Sequence, residues 1–249
     1  MTLVSSHLRV RGLATAGLVA LLVAGCTAIP AVSPTPSPTP QPTIAPSAPP
    51  FTYGPTMAAN ACPTAAPAAF TGTATVTMTT NFGNIVIKVD GSLGPNAAGS
   101  FVALARCGYY NNVLFHRVVP SFIIQAGDGT NAREPNPVLD KMGQGGPSWT
   151  IQDDKVTSTY KRGVVSMARQ SGVANSGNAQ FFIVLSDSAA TSLADASANN
   201  YAIFGSVTAG MDVVDRIALV PTGGEPDSGG TASMPLQPVV ITGTTVATP

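Results

Sequence analysis

Apolar and polar positions alternate between residues 73 and 89. Thr73-Ala74-Thr75-Val76-Thr77-Met78-Thr79 keeps a period of two, and Ile85-Val86-Ile87-Lys88-Val89 resumes it after Asn81-Phe82-Gly83-Asn84. Side chains two apart share one face of a strand, so the pattern predicts a β-hairpin whose turn is supplied by asparagine and glycine. The period then lengthens. Pro95 suits a first helical position, Ala98, Phe101, Val102 and Ala105 fall on one helix face, and Gly108 suits the stop. Residues 114–124, 163–167, 181–185 and 201–207 are dense in β-branched and aromatic residues and predict strands. A short helix over 211–218 presents Val213, Val214 and Ile217, and a last strand covers 238–242. Many short strands with two brief helices predict a mainly β domain, an antiparallel barrel or sandwich.

The first 64 residues follow neither period. Arg9 and Arg11 precede an apolar run over residues 13–25 that ends in small residues. The run is short for a membrane span, and its flanks predict an export signal over residues 1–25. Val23-Ala24-Gly25-Cys26 resembles the bacterial lipobox. That resemblance implies lipidation of Cys26 and an outward-facing, membrane-anchored protein, the alternative being an ordinary signal with a chance cysteine. Residues 27–60 hold ten of the 22 prolines and no charge. Proline fixes φ and removes donors, so residues 26–64 predict an extended or disordered tether, with the globular domain at 65–249.

Composition narrows the chemistry. Without residues 1–25 the chain has ten basic and 12 acidic residues, so no basic stripe points to nucleic acid. His116 is then the sole histidine, which excludes a two-histidine metal site. It also leaves a hydrolase with one unpaired base and no Gly-x-Ser-x-Gly elbow. Gly145-Gly146-Pro147-Ser148-Trp149-Thr150 lacks the lysine and helix start of a phosphate cradle. No cofactor or metal is expected. Cys62 and Cys107 are an even pair in a chain read as exported; they either bridge, pinning the tether's end to the domain, or remain separate thiols.

The chemistry-bearing stretch is Phe115-His116-Arg117-Val118-Val119-Pro120-Ser121-Phe122-Ile123-Ile124-Gln125-Ala126-Gly127-Asp128. It sets a cation and an amide at the edge of an apolar run. Its order, Phe-His-Arg-x-x-Pro-x-Phe-x-x-Gln-x-Gly-Asp, resembles the signature of the cyclophilins, the peptidyl-prolyl isomerases. Ser166-Met167-Ala168-Arg169, then Gln180-Phe181-Phe182-Ile183, then Tyr201-Ala202-Ile203-Phe204-Gly205 continue the resemblance in the same order.

The resemblance implies a closed eight-stranded antiparallel barrel, capped by two helices, over most of residues 73–244. It implies catalysis by Arg117, donating to the prolyl nitrogen of a twisted amide. Phe122, Ile123, Phe182 and Leu193 form the proline pocket, with Ile123 where methionine is common. Gln125 holds the substrate backbone and helps orient Arg117. Ala168 and Arg169 match a backbone-binding segment, with arginine where asparagine is commoner, which favours acidic substrates. Gln180 matches a binding position, and Tyr201 stands where many members carry histidine. Ser192 replaces a tryptophan that contacts cyclosporin in many members, so weak cyclosporin binding is expected. The implied partners are proline-containing polypeptides, bound by a monomer that assists folding of exported proteins. A proline-segment binding module and a holdase chaperone are the alternatives. The insertion over 132–140 reads equally as a specificity loop or a passive excursion.

Overall fold

A computed structural model describes residues 49–55, 62–194, 201–226 and 232–249. The signal segment 1–25, Cys26 and most of the tether lie outside the described residues. The elements are β1 (Thr73–Thr80), β2 (Gly83–Asp90), α1 (Pro95–Arg106), β3 (Val113–Val119), β4 (Ile123–Ala126), β5 (Val164–Met167), β6 (Phe181–Val184), α2 (Ala189–Leu193), β7 (Ile203–Ala209), α3 (Met211–Ala218), β8 (Thr222–Pro226), β9 (Ala232–Pro235) and β10 (Val240–Ala247). Eight strands close into a barrel in the order β1-β10-β3-β4-β6-β5-β7-β2. All its neighbouring pairs are antiparallel. Strands β8 and β9 form a separate two-stranded ribbon.

Strand periodicity sorts the side chains into two populations. Ile124 and Ala126 of β4, Val165 and Met167 of β5, Phe181 and Ile183 of β6 and Phe204 of β7 belong to the cluster that fills the lumen. Their alternates Ile123, Val164, Phe182, Val184 and Ile203 belong to a second cluster on the outer face. Phe101 and Leu104 of α1, and Val214 and Ile217 of α3, join the lumen cluster and close it from water. Each fully buried Phe or Leu is worth about 1.5–3 kcal/mol.

Strand β3 breaks the alternation. Phe115 and Val118 both belong to the lumen cluster although they are three residues apart. The register accounts for this: Phe115 faces Ala126, Arg117 faces Gln125, and His116 is an extra residue between them. Such a bulge switches the face of every side chain that follows it. Arg117 therefore leaves the wall on the outer face beside Gln125 instead of entering the lumen.

Several expectations are corrected. The run over 114–124 is not one strand but β3 and β4 joined by a tight turn, with Phe122 N–H donating to the Val119 carbonyl at 3.0 Å. Pro120 at the second turn position and Ser121 at φ 61° give the pattern of a type II turn. The last strand runs to Ala247 rather than ending at 242. The five-residue helix α2 and the β8–β9 ribbon are additional.

The tether's end is also ordered on the barrel. Gly54 exchanges two hydrogen bonds with the Asn112 amide, at 2.7 and 3.2 Å, and Phe51 packs on Leu114, Ala132 and Val240. Cys62 and Cys107 form a disulfide with Cα atoms 5.1 Å apart. The Trp149 indole donates to the Pro63 carbonyl at 3.1 Å. Helix α1 has no capping side chain of its own at Gly94. Asp154 supplies one from 58 residues downstream, accepting from Asn96 N–H at 3.1 Å and Ala97 N–H at 2.9 Å.

Candidate active site

The outer face of β3, β4 and β6 floors a cavity of about 970 Å³. Arg117, Phe122, Ile123, Gln125, Ala168, Arg169, Phe182, Leu193 and Tyr201 all line it. Cross-strand pairing explains how they meet. Arg117 lies opposite Gln125, and Gln125 lies opposite Phe182, so cation, amide and aromatic ring stand side by side on three adjacent strands. Phe122 comes from the β3–β4 turn, held where Leu185 N–H donates to its carbonyl at 2.9 Å. Leu193 comes from the last turn of α2, and Ser192 beside it also lines the cavity.

The Tyr201 ring meets Phe182 edge-on, with centroids 5.2 Å apart. The Tyr160 hydroxyl fixes its backbone, donating to the Tyr201 carbonyl at 2.8 Å. Burial raises the Tyr201 phenol above its usual range, so it stays a neutral donor with an apolar body. Ala168 N–H donates to the Gln180 carbonyl at 2.8 Å, which sets the segment after β5 along the cavity edge.

Two expected contacts are reassigned. Gln180 does not line the cavity; its amide is committed inside the protein. Its Oε1 accepts from Gln125 Nε2 at 3.0 Å, and its Nε2 donates to the Gly143 and Gly145 carbonyls at 2.9 and 2.8 Å. It thus ties Gln125 to the loop behind it and positions that amide. Arg169 lines the cavity, but its charge is answered: Nη1 lies 3.4 Å from Asp153 Oδ2 and donates to the Val173 carbonyl at 2.7 Å. The expected pull on acidic substrates is therefore largely neutralised.

The loop that Gln180 grips is held from its other side by Asp128. This fully buried carboxylate accepts from the backbone N–H groups of Thr130, Asn131, Gly143 and Gly145 at 2.8–3.1 Å. The approach is close enough that a Cβ on Gly145 would sit 2.2 Å from Asp128 Oδ1. His116 lies under the same loop. Burial drives its pKa down to about 4, outweighing the opposing pull of Asp128, so at neutral pH it is an uncharged and weakly basic imidazole.

The sequence reading missed Leu139, Met142 and Met234, which also line the cavity. Their signal was faint: a few apolar residues in otherwise polar, proline-containing loops. A cation and an amide converging on an aromatic-walled cleft suit recognition of a polarised amide.

The chain is similar to proteins of one known family. The family model described as cyclophilin type peptidyl-prolyl cis-trans isomerase matches residues 75–246. The peptidyl-prolyl cis-trans isomerase cyp18 of Streptomyces antibioticus is 36% identical over 170 residues, covering 68% of this chain and 95% of its own. A peptidyl-prolyl cis-trans isomerase of Acinetobacter baylyi is 37% identical over 167 residues, covering 67% and 81%. A crystal structure of a Cryptosporidium parvum cyclophilin-type isomerase, obtained in the presence of the dipeptide Ala-Pro, superposes with a TM-score of 0.55. It shares 27% identity and covers 70% of this chain and 99% of its own.

Proposed function

The chain belongs to the cyclophilin-type peptidyl-prolyl cis-trans isomerases, and on that footing we propose that it assists exported polypeptides at Xaa–Pro bonds from a lipid anchor at Cys26. The reaction is rotation about an amide. Its barrier, about 18–20 kcal/mol for a peptide bond, comes from the partial double bond lost at the midpoint. Xaa–Pro bonds have nearly balanced isomers that exchange over roughly tens to hundreds of seconds unaided, so folding chains wait on them.

Catalysis requires that the twisted amide be bound better than either planar form. At the twist the prolyl nitrogen regains a lone pair. Arg117 is a permanent cation with several N–H donors, set on the outer wall beside Gln125 and facing the apolar cleft. Phe122, Ile123, Phe182 and Leu193 hold the proline ring, Tyr201 closes the wall, and Gln125 together with the backbone at Ala168–Arg169 takes the substrate backbone. The observation that carries this reading is the bulge at His116, which delivers Arg117 to the cleft.

The lipobox-like Val23-Ala24-Gly25-Cys26 and the Cys62–Cys107 disulfide support an oxidising, extracytoplasmic setting. With Ser192 in the cavity wall where many members have tryptophan, cyclosporin binds weakly. The test is cis/trans exchange of an Ala-Pro peptide followed by NMR with the full chain. Arg117→Ala lowers kcat/KM about a hundredfold, the size of one lost transition-state donor, with little change in thermal stability. Unchanged exchange in a folded Arg117→Ala variant would remove Arg117 from the mechanism.

A further inference from the structure

The catalytic cleft does not end at Arg117. Beyond it, past His116, a second hollow of about 270 Å³ opens between the insertion after Asn131 and the β8–β9 ribbon. His116, Leu139, Met142 and Met234 line both spaces, so the two adjoin. The remaining walls are mostly apolar, among them Pro137, Leu236 and Pro238.

Both flanking elements carry backbone hydrogen bonds at their bases. The insertion is pinned at its base. Leu114 N–H donates to the Ala132 carbonyl and Glu134 N–H to the Asn112 carbonyl, both at 2.8 Å. Arg133 donates to the Gly129, Asn111 and Tyr109 carbonyls and lies over the Tyr109 ring. The ribbon's two strands pair with each other, and at its base Leu236 N–H donates to the Pro221 carbonyl at 2.8 Å. Yet the rim is exposed and apolar: Leu139 is 61% exposed and Leu236 is 65% exposed. Anchored backbone that holds leucine in water at the lip of an apolar hollow is the pattern of a binding surface.

We propose that this side hollow is a subsite of the isomerase that takes one apolar side chain of the substrate, within three residues of the proline. The inference rests on the isomerase reading above. The walls shared with the catalytic cleft select the occupant. Ala168–Arg169 and the hollow lie on opposite sides of the Arg117–Gln125 pair in the strand order, so an extended chain bound at the first and crossing Arg117 arrives at the second. At about 3.3 Å per residue, three residues span roughly 10 Å. The hollow is smaller than the roughly 300–1,000 Å³ of small-molecule sites and suits a side chain or two. Two exposed leucines fall far short of the roughly 800 Å² per partner of a stable dimer, which argues against a second copy of this chain.

The test uses the full chain and peptides with one Xaa–Pro bond, in which leucine or aspartate replaces alanine at each position from three before to three after the proline. An all-alanine peptide with the same Ala-Pro bond is the reference. Exchange measured by NMR is expected to favour leucine over aspartate about tenfold in kcat/KM at one position only. In Leu236→Asp that preference collapses or reverses, while the reference peptide turns over as before; Leu236→Met retains it. Activity on the reference peptide with no positional preference overturns the subsite and leaves the isomerase reading intact. Inactivity on every peptide overturns both. A preference that survives Leu236→Asp, or a change of sedimentation state without a change of preference, also overturns the subsite.

Discussion

The inner and outer faces of the barrel wall are made from the same strands, yet they do different work. Phe181 and Phe182 are adjacent on β6 and both are buried. Phe181 meets Phe101, Tyr110 and Phe115 in the lumen, where ring packs on ring. Phe182 faces the cleft and meets Tyr201, within reach of a cation and an amide. The lumen is a core held from water, so its side chains stabilise the fold. The outer cluster borders the open cleft, and in the proposed function it is substrate that covers it. Parity along a strand decides which role a residue takes, and the bulge at His116 lets Arg117 take the outer one.

The largest effect separates the two faces directly. Phe181→Ala is expected to cost about 3–5 kcal/mol of stability, the range for deleting a buried aromatic side chain. Phe182→Ala costs less stability but lowers kcat/KM about tenfold or more in the folded protein. Urea unfolding and peptide exchange on both variants check this, and equal stability losses would break the contrast.

His116, at the switch between faces, gives a smaller effect with a defined pH window. Its folded pKa of about 4 lies below the ordinary 6.5, so protonation favours the unfolded chain. The stability it contributes is fully present above about pH 6.5 and is lost as pH falls toward 4. Between pH 7 and pH 5 the loss is about 2 kcal/mol. Urea midpoints across that range should fall in the wild type and fall less in His116→Gln; parallel curves would show that His116 does not titrate there.

Gln180 sharpens the comparison at the smallest scale. It lies behind the cleft and acts through Gln125, so Gln180→Leu is expected to lower kcat about fivefold to tenfold with KM nearly constant. A rise in KM alone would make Gln180 a direct substrate contact.

Much of this was legible in the sequence. The alternation over 73–89 and the helical spacing after Pro95 reflect burial on one face, and both elements form where that pattern places them. The order of motifs brought together nine side chains that do line one cleft. What stayed hidden depends on register and on long-range partners. Nothing in Phe115-His116-Arg117 announces an extra residue, because a bulge appears only against its paired strand. Gln180 reads as a binding residue until Gly143 and Gly145 come to rest against it from 35 to 37 residues upstream. Arg169 reads as a free charge until Asp153 is folded beside it. The polar run before β10 gives no strand period for β8 and β9, and the prolines of the tether mask the contacts of Phe51 and Gly54.

The most direct test follows the methyl groups of Ile123 and Ile124, adjacent in sequence and on opposite faces of β4, by NMR as a turning-over Ala-Pro peptide is titrated into the full chain. Shifts and exchange broadening at Ile123, with Ile124 unmoved, are the predicted result. Equal responses at both residues, or a response at Ile124 alone, would contradict an active site confined to the outer face of the barrel.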